Sequence, residues 1–390
     1  MATDYSHGKP QSSLNMTIRI FNHIDDPDLI RHWRRIVKEY DYFPQSSYEW
    51  CAPWWRQRGG DRWLYVVAVI DKDGDTVGLA PLCIERRLGI RILRTFPIHF
   101  GDFYTFVVKD NGRYSEIVDT IVGHLQQFSE WELVKLDQIG TDDPCTPVLE
   151  RRGFASKKLS DITTGSFEGK SFEEYLNGLS KKQRREIGRR LRRLEHAAEV
   201  EFLVFEDAKS YLSYVDDMAM LHHLRRGDRN APLLNSPHLA YRDEAITACF
   251  DQGQMLLYTL KAGGKTIAYR LGFVYEETFF AWKVCHDLDY SKYAPGTLIT
   301  AYAIRDLISR GVKRLNFMAG SYEWKTRWAP DGCVTAIQCY LCAKEGSLRA
   351  SFLLRYYLEW RDIIKSVYRR MQSRPEFSRA LRFVRNTYER

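Results

Sequence analysis

Three short stretches of the chain carry residue types that can do chemistry. In YAPGTLITAYAIRDLISRG, residues 293–311, Pro295, Gly296 and Thr297 stand at the mouth of an apolar pattern with helical spacing. Such a start is either a plain turn capped by Thr297 or an anion site, where backbone N–H groups and the helix dipole meet a negative group. In VCHDLDY, His286 and Asp287 are acid–base types, but neighbours on a strand face opposite sides, so at most one lines a cleft. In NFMAGSYEWKTRWA, residues 316–329, Tyr322, Glu323 and Lys325 place a phenol, a carboxylate and an amine within four positions. They are either acid–base groups or solvated turn residues. The doublet His222-His223 sits in a helical pattern and reads as core or surface.

The elements that must position these groups follow from two hairpins. WLYVVAVIDKDGDTVGLAPLCI (63–84) turns at Asp73-Gly74, and GQMLLYTLKAGGKTIAYRLGFV (253–274) turns at Gly263-Gly264. Superposing the turns gives an offset of 190 residues, which sets Thr76-Val77-Gly78 on Thr266-Ile267-Ala268. A duplicated α/β unit is expected. The first copy reads as strand 17–21, helix 27–39, the hairpin, helix 114–128 and a strand at WELVKLDQI, followed by a charged connector over 151–169. The second reads as a basic helix over 172–196 with a Ser171/Glu174 capping box, strand EFLVF, helices near 208–224 and 237–250, and the hairpin. Strand TFFAWKVC, the PGT helix, strand VKRLNFM and a strand at 333–343 complete it.

The bulk properties exclude several classes. With 390 residues, 44% hydrophobic and 28% charged, the chain is globular and long enough for two domains. The first fifteen residues are polar and no apolar run approaches ~18 residues, so neither a secretory signal nor a membrane span is expected. Eight irregularly spaced cysteines suit a reducing cytoplasm. The Cys339–Cys342 pair lies on a strand pattern, where residues three apart diverge, so no metal is expected. No GxGxxG and no GxxxxGK[ST] occurs, which leaves dinucleotide and P-loop folds without support.

The order of these pieces resembles the GNAT superfamily of acyl-CoA N-acyltransferases. More narrowly it resembles the two-unit family linked to bacterial cellulose and exopolysaccharide synthesis, the CelD/BcsL type. The pieces that carry the likeness are VVAVIDKDGDTVGLAPLCIERR, GDFYTFVV, WELVKLDQI, LSKKQRREIGRRLRRLE, HDLDYSKYAPGTLI and NFMAGSYEWKTRWA. The resemblance implies an α/β (α+β) fold of two tandem units, each a twisted, largely antiparallel mixed sheet flanked by helices. It places a degenerate unit at 16–165, the acyltransferase unit at 170–346 and a basic helical tail at 349–390.

It also implies that TFFAWKVC splays from the next strand to admit pantetheine. Tyr293, Pro295, Gly296, Thr297 and Leu298 then form the pyrophosphate loop, with the amides of 296, 297 and 298 free to hold the anion. Relatives more often read DFxRGDEPYKRRW where this chain has NFMAGSYEWKTRW, so Trp324 replaces the usual tyrosine. Tyr322 becomes the nearest candidate acid and Glu323 the nearest base, with Lys325 and Asp287 completing the catalytic set. Arg270, Trp282 and His286 would contact the substrate. The implied reaction moves an acetyl or other acyl group from CoA to an amine, such as an amino sugar, with no metal.

Two basic segments suggest partners. Residues 180–196 carry eight Lys or Arg, a solvated helix face or a contact for CoA phosphates, tRNA or acidic lipid. Residues 349–390 carry eleven Lys or Arg against four Asp or Glu, which is +7 of the net +8. There Phe352, Tyr356, Trp360, Ile363, Ile364, Val367 and Met371 form a stripe that either docks on the body or meets an anionic membrane surface. A cytoplasmic enzyme, peripheral to the inner membrane in the second case, is expected. The alternatives are a Fem-type transferase using aminoacyl-tRNA and a silent membrane-surface module.

Overall fold

Both hairpins form where the turn residues place them, and both bend in the same place. The computed structural model describes residues 16–372 apart from 41–42, 88, 98–101, 110–111, 128–129, 227–238 and 331. Gly74, Gly263 and Gly264 all have positive φ, as tight hairpin turns require. In each hairpin the ladder slips by one residue just past the turn, at Val77 in the first and Ile267 in the second. A shared bulge at the 190-residue offset is strong physical evidence of duplication, because bulges re-aim every side chain beyond them.

The first half runs β1 (Thr17–Phe21), α1 (Pro27–Tyr40), α2 (Tyr48–Arg58), β2 (Trp63–Ile70), β3 (Thr76–Arg87), β4 (Ile90–Thr95), β5 (Val107–Val108), α3 (Tyr114–Leu125), β6 (Leu133–Gly140), α4 (Thr146–Arg151) and β7 (Ala155–Ser166). The second runs α5 (Phe172–Gly178), α6 (Lys181–Glu195), β8 (Val200–Phe205), α7 (Ala208–Ser213), α8 (Val215–Arg226), α9 (Leu239–Asp251), β9 (Met255–Ala262), β10 (Lys265–Tyr275), β11 (Thr278–His286), α10 (Pro295–Ser309), β12 (Arg314–Ala319), α11 (Glu323–Thr326) and β13 (Cys333–Ala343). The tail adds α12 (Leu348–Arg355), a π-helical stretch and α13 (Arg361–Gln372).

The strands form one twisted sheet in the order β1-β2-β3-β4-β6-β13-β7-β12-β11-β10-β9-β8, with β5 beside β3. In each half four antiparallel strands lead to a parallel pair joined through a helix: β4 with β6 through α3, and β11 with β12 through α10. The last strand of each half crosses into the other. β7 pairs with β12, β13 pairs with β6, and the two pair with each other at the centre. The halves therefore share their strands.

Three sequence expectations change here. The charged connector over 151–169 is mostly β7, a central strand; its polar Lys and Ser run hid it, most of the strand being only partly buried. The single helix over 172–196 breaks into α5 and α6, since Leu179 is extended and Ser180 starts a new cap on the Gln183 N–H. The helix near 208–224 divides likewise into α7 and α8, and residues 237–238 of the next one lie outside the described residues. The Ser171/Glu174 capping box forms as read.

Apolar layers cover both faces. One holds α1, α2, α8 and α9 of both halves over an aromatic cluster that includes Trp50, Tyr241, Phe273 and Trp282. On the other face α3 and α4 cover the first half, and α5, α6 and α10 the second. Cys339 and Cys342 fall in different layers, on opposite faces of β13. The tail docks by Leu353 and Tyr357 against Ile90, Ile92, Leu133 and Leu341. These lie one position beyond the expected stripe. Phe352, Ile363, Ile364 and Val367 are half exposed or more, while the side chain of Met371 and residues 373–390 lie outside the described residues.

Candidate active site

The parallel pair of the second half opens, and specific residues force it open. β11 and β12 are paired only over Thr278–Phe280 and 314–316. Past that point β11 bulges: between the Leu271–Lys283 and Phe273–Phe280 pairs it carries one more residue than β10. Gly272 lies opposite the bulge, where a Cβ would come within 2.4 Å of the Phe280 carbonyl. On β12 the Met318 N–H turns to the Asn316 side chain at 2.8 Å and Met318 takes a φ of 60°. Beyond Phe280 no ladder pair joins β11 to β12 among the described residues.

The corresponding gap in the first half is closed. Arg94 of β4 reaches Asp137 of β6 at 2.9 Å and Glu85 at 2.9 Å, and Lys135 also pairs with Asp137. Tyr357 from the tail lies over Lys135, its ring centroid 5.3 Å from the ammonium. One half is stitched by charge and the other is open.

The open half holds a cleft of about 830 Å³. Its walls are the start of α6 (Lys182, Gln183, Glu186), strand residues Arg270, Val284 and His286, the α10 mouth (Ala294, Gly296, Thr297) and the α11 segment (Tyr322, Trp324, Trp328). Helix α10 starts on Ala294 in the left-handed region with no side-chain cap. The Thr297 and Leu298 amides already donate to the Ala294 carbonyl, so of the three amides expected to hold an anion only Gly296 N–H is free. A Cβ on Gly296 would come within 3.1 Å of His286 Nδ1, so glycine keeps this mouth clear.

Charged groups line up across the splay. Arg270 is fully buried beneath α10, where it donates to the Thr300 hydroxyl at 2.7 Å; burial lowers its pKa to about 10. Lys325 is buried and donates to the carbonyls of Met318 (3.2 Å) and Ala319 (2.8 Å), tying off the end of β12. Burial lowers its pKa to about 8; Asp102 opposes that shift and Arg270 adds to it. Asp102 comes from the first half, next to Phe103 of the aromatic layer. Burial raises its carboxyl above the usual range, with Lys283 and Lys325 partly offsetting the rise. A partly buried carboxylate that feels two ammonium charges is a base-like arrangement.

Of the residues expected from sequence, Arg270, His286, Gly296, Thr297 and Tyr322 gather in the cleft. Lys325 sits beneath it, its ammonium 5.4 Å from the Tyr322 ring. The rest are elsewhere. Glu323 is fully exposed and ion-paired to Arg327, which holds its carboxyl low. Asp287 is buried as the cap of the 288–293 turn, accepting from Asp289 N–H (2.9 Å) and Lys265 (2.7 Å). Trp282 packs on Trp50 in the layer between halves. Pro295 and Leu298 are buried in the first turn of α10, and Tyr293 packs on Tyr290. Asp102 was missed. It stands in the GDFYTFVV segment, where nothing local marks it as a site residue, and only the tertiary fold brings it near residue 325.

The fold has known counterparts. FemX is similar over 80% of this chain and 95% of its own, at 11% identity and a TM-score of 0.57. L-PGS from Bacillus licheniformis is similar over 85% and 96%, at 13% identity and 0.52. The C-terminal domain of a putative lysylphosphatidylglycerol synthetase from Agrobacterium fabrum is similar over 83% and 94%, at 12% and 0.52. No curated protein matches the sequence. At such identities the likeness is one of fold. The splayed pair and its helix mouth fall within the one segment of the chain that a family model matches. That model is the acetyltransferase (GNAT) domain, and residues 181–326, from the start of α6 to the end of α11, are similar to it.

Proposed function

We propose that the chain transfers an acyl group from a CoA thioester to an amine, with the donor in the α10 cleft. The observation that supports this most directly is the splay of β11 from β12 with the uncapped α10 at its mouth. Gly296 N–H and the helix dipole meet a phosphate there, and Lys182 of α6 adds positive charge at the rim. The pantetheine arm runs along the edge of β11 where it leaves β12, and a β11 N–H stabilises the oxyanion. The amine nitrogen attacks the thioester carbon and gives its proton to Asp102; the C–S bond breaks, and the Tyr322 hydroxyl protonates the departing thiolate. The first half supplies Asp102 and a covering wall.

A second reading has support of its own. The similarity to FemX and L-PGS, together with the basic α6 at the cleft rim, favours an aminoacyl ester carried on tRNA as the donor. The attack on the carbonyl is the same; only the carrier differs. Calorimetric titration with CoA separates the two readings. Wild type should bind, and Gly296→Val, which pushes a branched side chain at His286 and the anion, should bind about 1–3 kcal/mol more weakly. A folded wild type that ignores CoA overturns the first reading in favour of the tRNA donor. Tyr322→Phe should lower turnover at least about tenfold with donor affinity unchanged; equal turnover removes Tyr322 from the mechanism.

No described helix is long and apolar enough to cross a membrane. We infer instead that the tail meets an anionic membrane surface, in keeping with a role in polysaccharide or cell-envelope synthesis. Its docked side is satisfied by Leu353 and Tyr357, while Ile363, Ile364 and Val367 face outward. A chain ending at Trp360 keeps the docked turns, so it should stay folded and lose binding to anionic vesicles. Binding of the full chain should weaken with salt, because charges are screened within about 8–10 Å. Full-length protein that ignores such vesicles at low salt overturns the anchor.

A further inference from the structure

Arg270 is a buried cation with no counter-charge. It is 2% exposed, its Nε has no partner, and one terminal nitrogen meets only the Thr300 hydroxyl. Its guanidinium carbon lies 5.9 Å from the centroid of the Phe317 ring. Among the described residues no carboxylate pairs with it, and its charged neighbour is Lys325, of the same sign. Isolated buried charge is costly, and a chain that keeps one beside a cleft provides for an anion that arrives with the ligand.

The position says which anion. Thr300 bonds both Arg270 and the Gly296 carbonyl, each at 2.7 Å, so Arg270 lies one helical turn inward from the α10 mouth. A diphosphate at the mouth stays outside that turn. What reaches Arg270 is the reacting end of a ligand, and a single negative charge with two oxygens fits one planar guanidinium. We propose that Arg270 receives a carboxylate, so that the enzyme selects either an acyl donor with a free terminal carboxylate or an amine acceptor of the amino-acid type. This rests on the splayed cleft being the transfer site, and it adds the substrate class.

Two matched pairs of probes test it by calorimetry on the full chain: succinyl-CoA against acetyl-CoA, and L-alanine against L-alaninamide with CoA present. In one pair wild type should favour the carboxylate member by about tenfold or more, and Arg270→Met should abolish the preference. The pair that shows it names the source. Arg270→Met should also melt no lower than wild type, since an apolar chain of similar length replaces an unpaired charge. A clearly lower melting temperature makes Arg270 a packing residue and overturns the proposal. If the Met variant does not fold, Arg270→Lys decides; it keeps the charge without the planar fork, and an undiminished preference in it also overturns the assignment. Equal affinities within both pairs in wild type sink the carboxylate site even when CoA binds. A protein that ignores CoA but prefers alanine to alaninamide keeps the carboxylate site and loses the CoA reading.

Discussion

Asp102→Asn is expected to lower turnover by about 10²–10⁴-fold while donor affinity stays near wild type. The carboxyl is shielded, its pKa is raised by that burial, and Lys283 and Lys325 keep it from rising further. A base of this kind works when ionised, so the wild-type rate should fall as pH falls through the raised pKa. That acid limb should lie above the ordinary carboxylate range and vanish in the variant. The stability sign is opposite to the activity sign. A carboxyl whose folded pKa is raised destabilises the fold at all pH values above that pKa, and the penalty fades as pH drops toward the unfolded value of 3.8. The Asn variant should therefore melt no lower than wild type near neutral pH. Steady-state rates from pH 5 to 9 with parallel melting curves test this; turnover equal to wild type would falsify the base assignment.

Gly272→Ala should carry the largest stability effect, a loss of about 3 kcal/mol or more. The added methyl would lie 2.4 Å from both the Phe280 carbonyl and the Phe279 ring, and the carbonyl cannot swing away without undoing the β11 bulge. Gly264→Ala is the useful contrast: its φ is positive, unlike that of Gly272, but nothing lies within 4 Å of the new atom, so only backbone strain is added. Denaturant melts of both variants measure the difference. Similar midpoints would mean that the bulge yields easily and does not hold the strands apart.

The fold was legible where local rules act alone. Asp73-Gly74 and Gly263-Gly264 fix hairpins by their own backbone preferences, and Ser171 with Glu174 fixes a helix start. The helix mouth at Gly296 was readable for the same reason, although Thr297 and Leu298 turn out to use their amides on Ala294. What stayed hidden depends on partners far away in sequence. β7 reads as a connector because eight of its twelve residues are polar, and only β12 and β13 beside it make it a strand. Asp102 looks like any loop aspartate until β11, with Lys283, and α11, with Lys325, are folded around it. Glu323 and Asp287 show the converse: the right residue type near the site, with the side chain committed to Arg327 in one case and to Lys265 and a turn in the other.

The strand exchange at the centre of the sheet also dictates an order of events during synthesis. Strand β6 ends at Gly140, yet the strand that covers its outer edge begins at Cys333. At the usual pace of translation, about 5–20 residues per second, that edge waits on the order of 10–40 seconds for its partner. An uncovered edge is a template for pairing with other chains. A ribosome stalled anywhere in the second half would thus leave a nascent first half that is adhesive along one side.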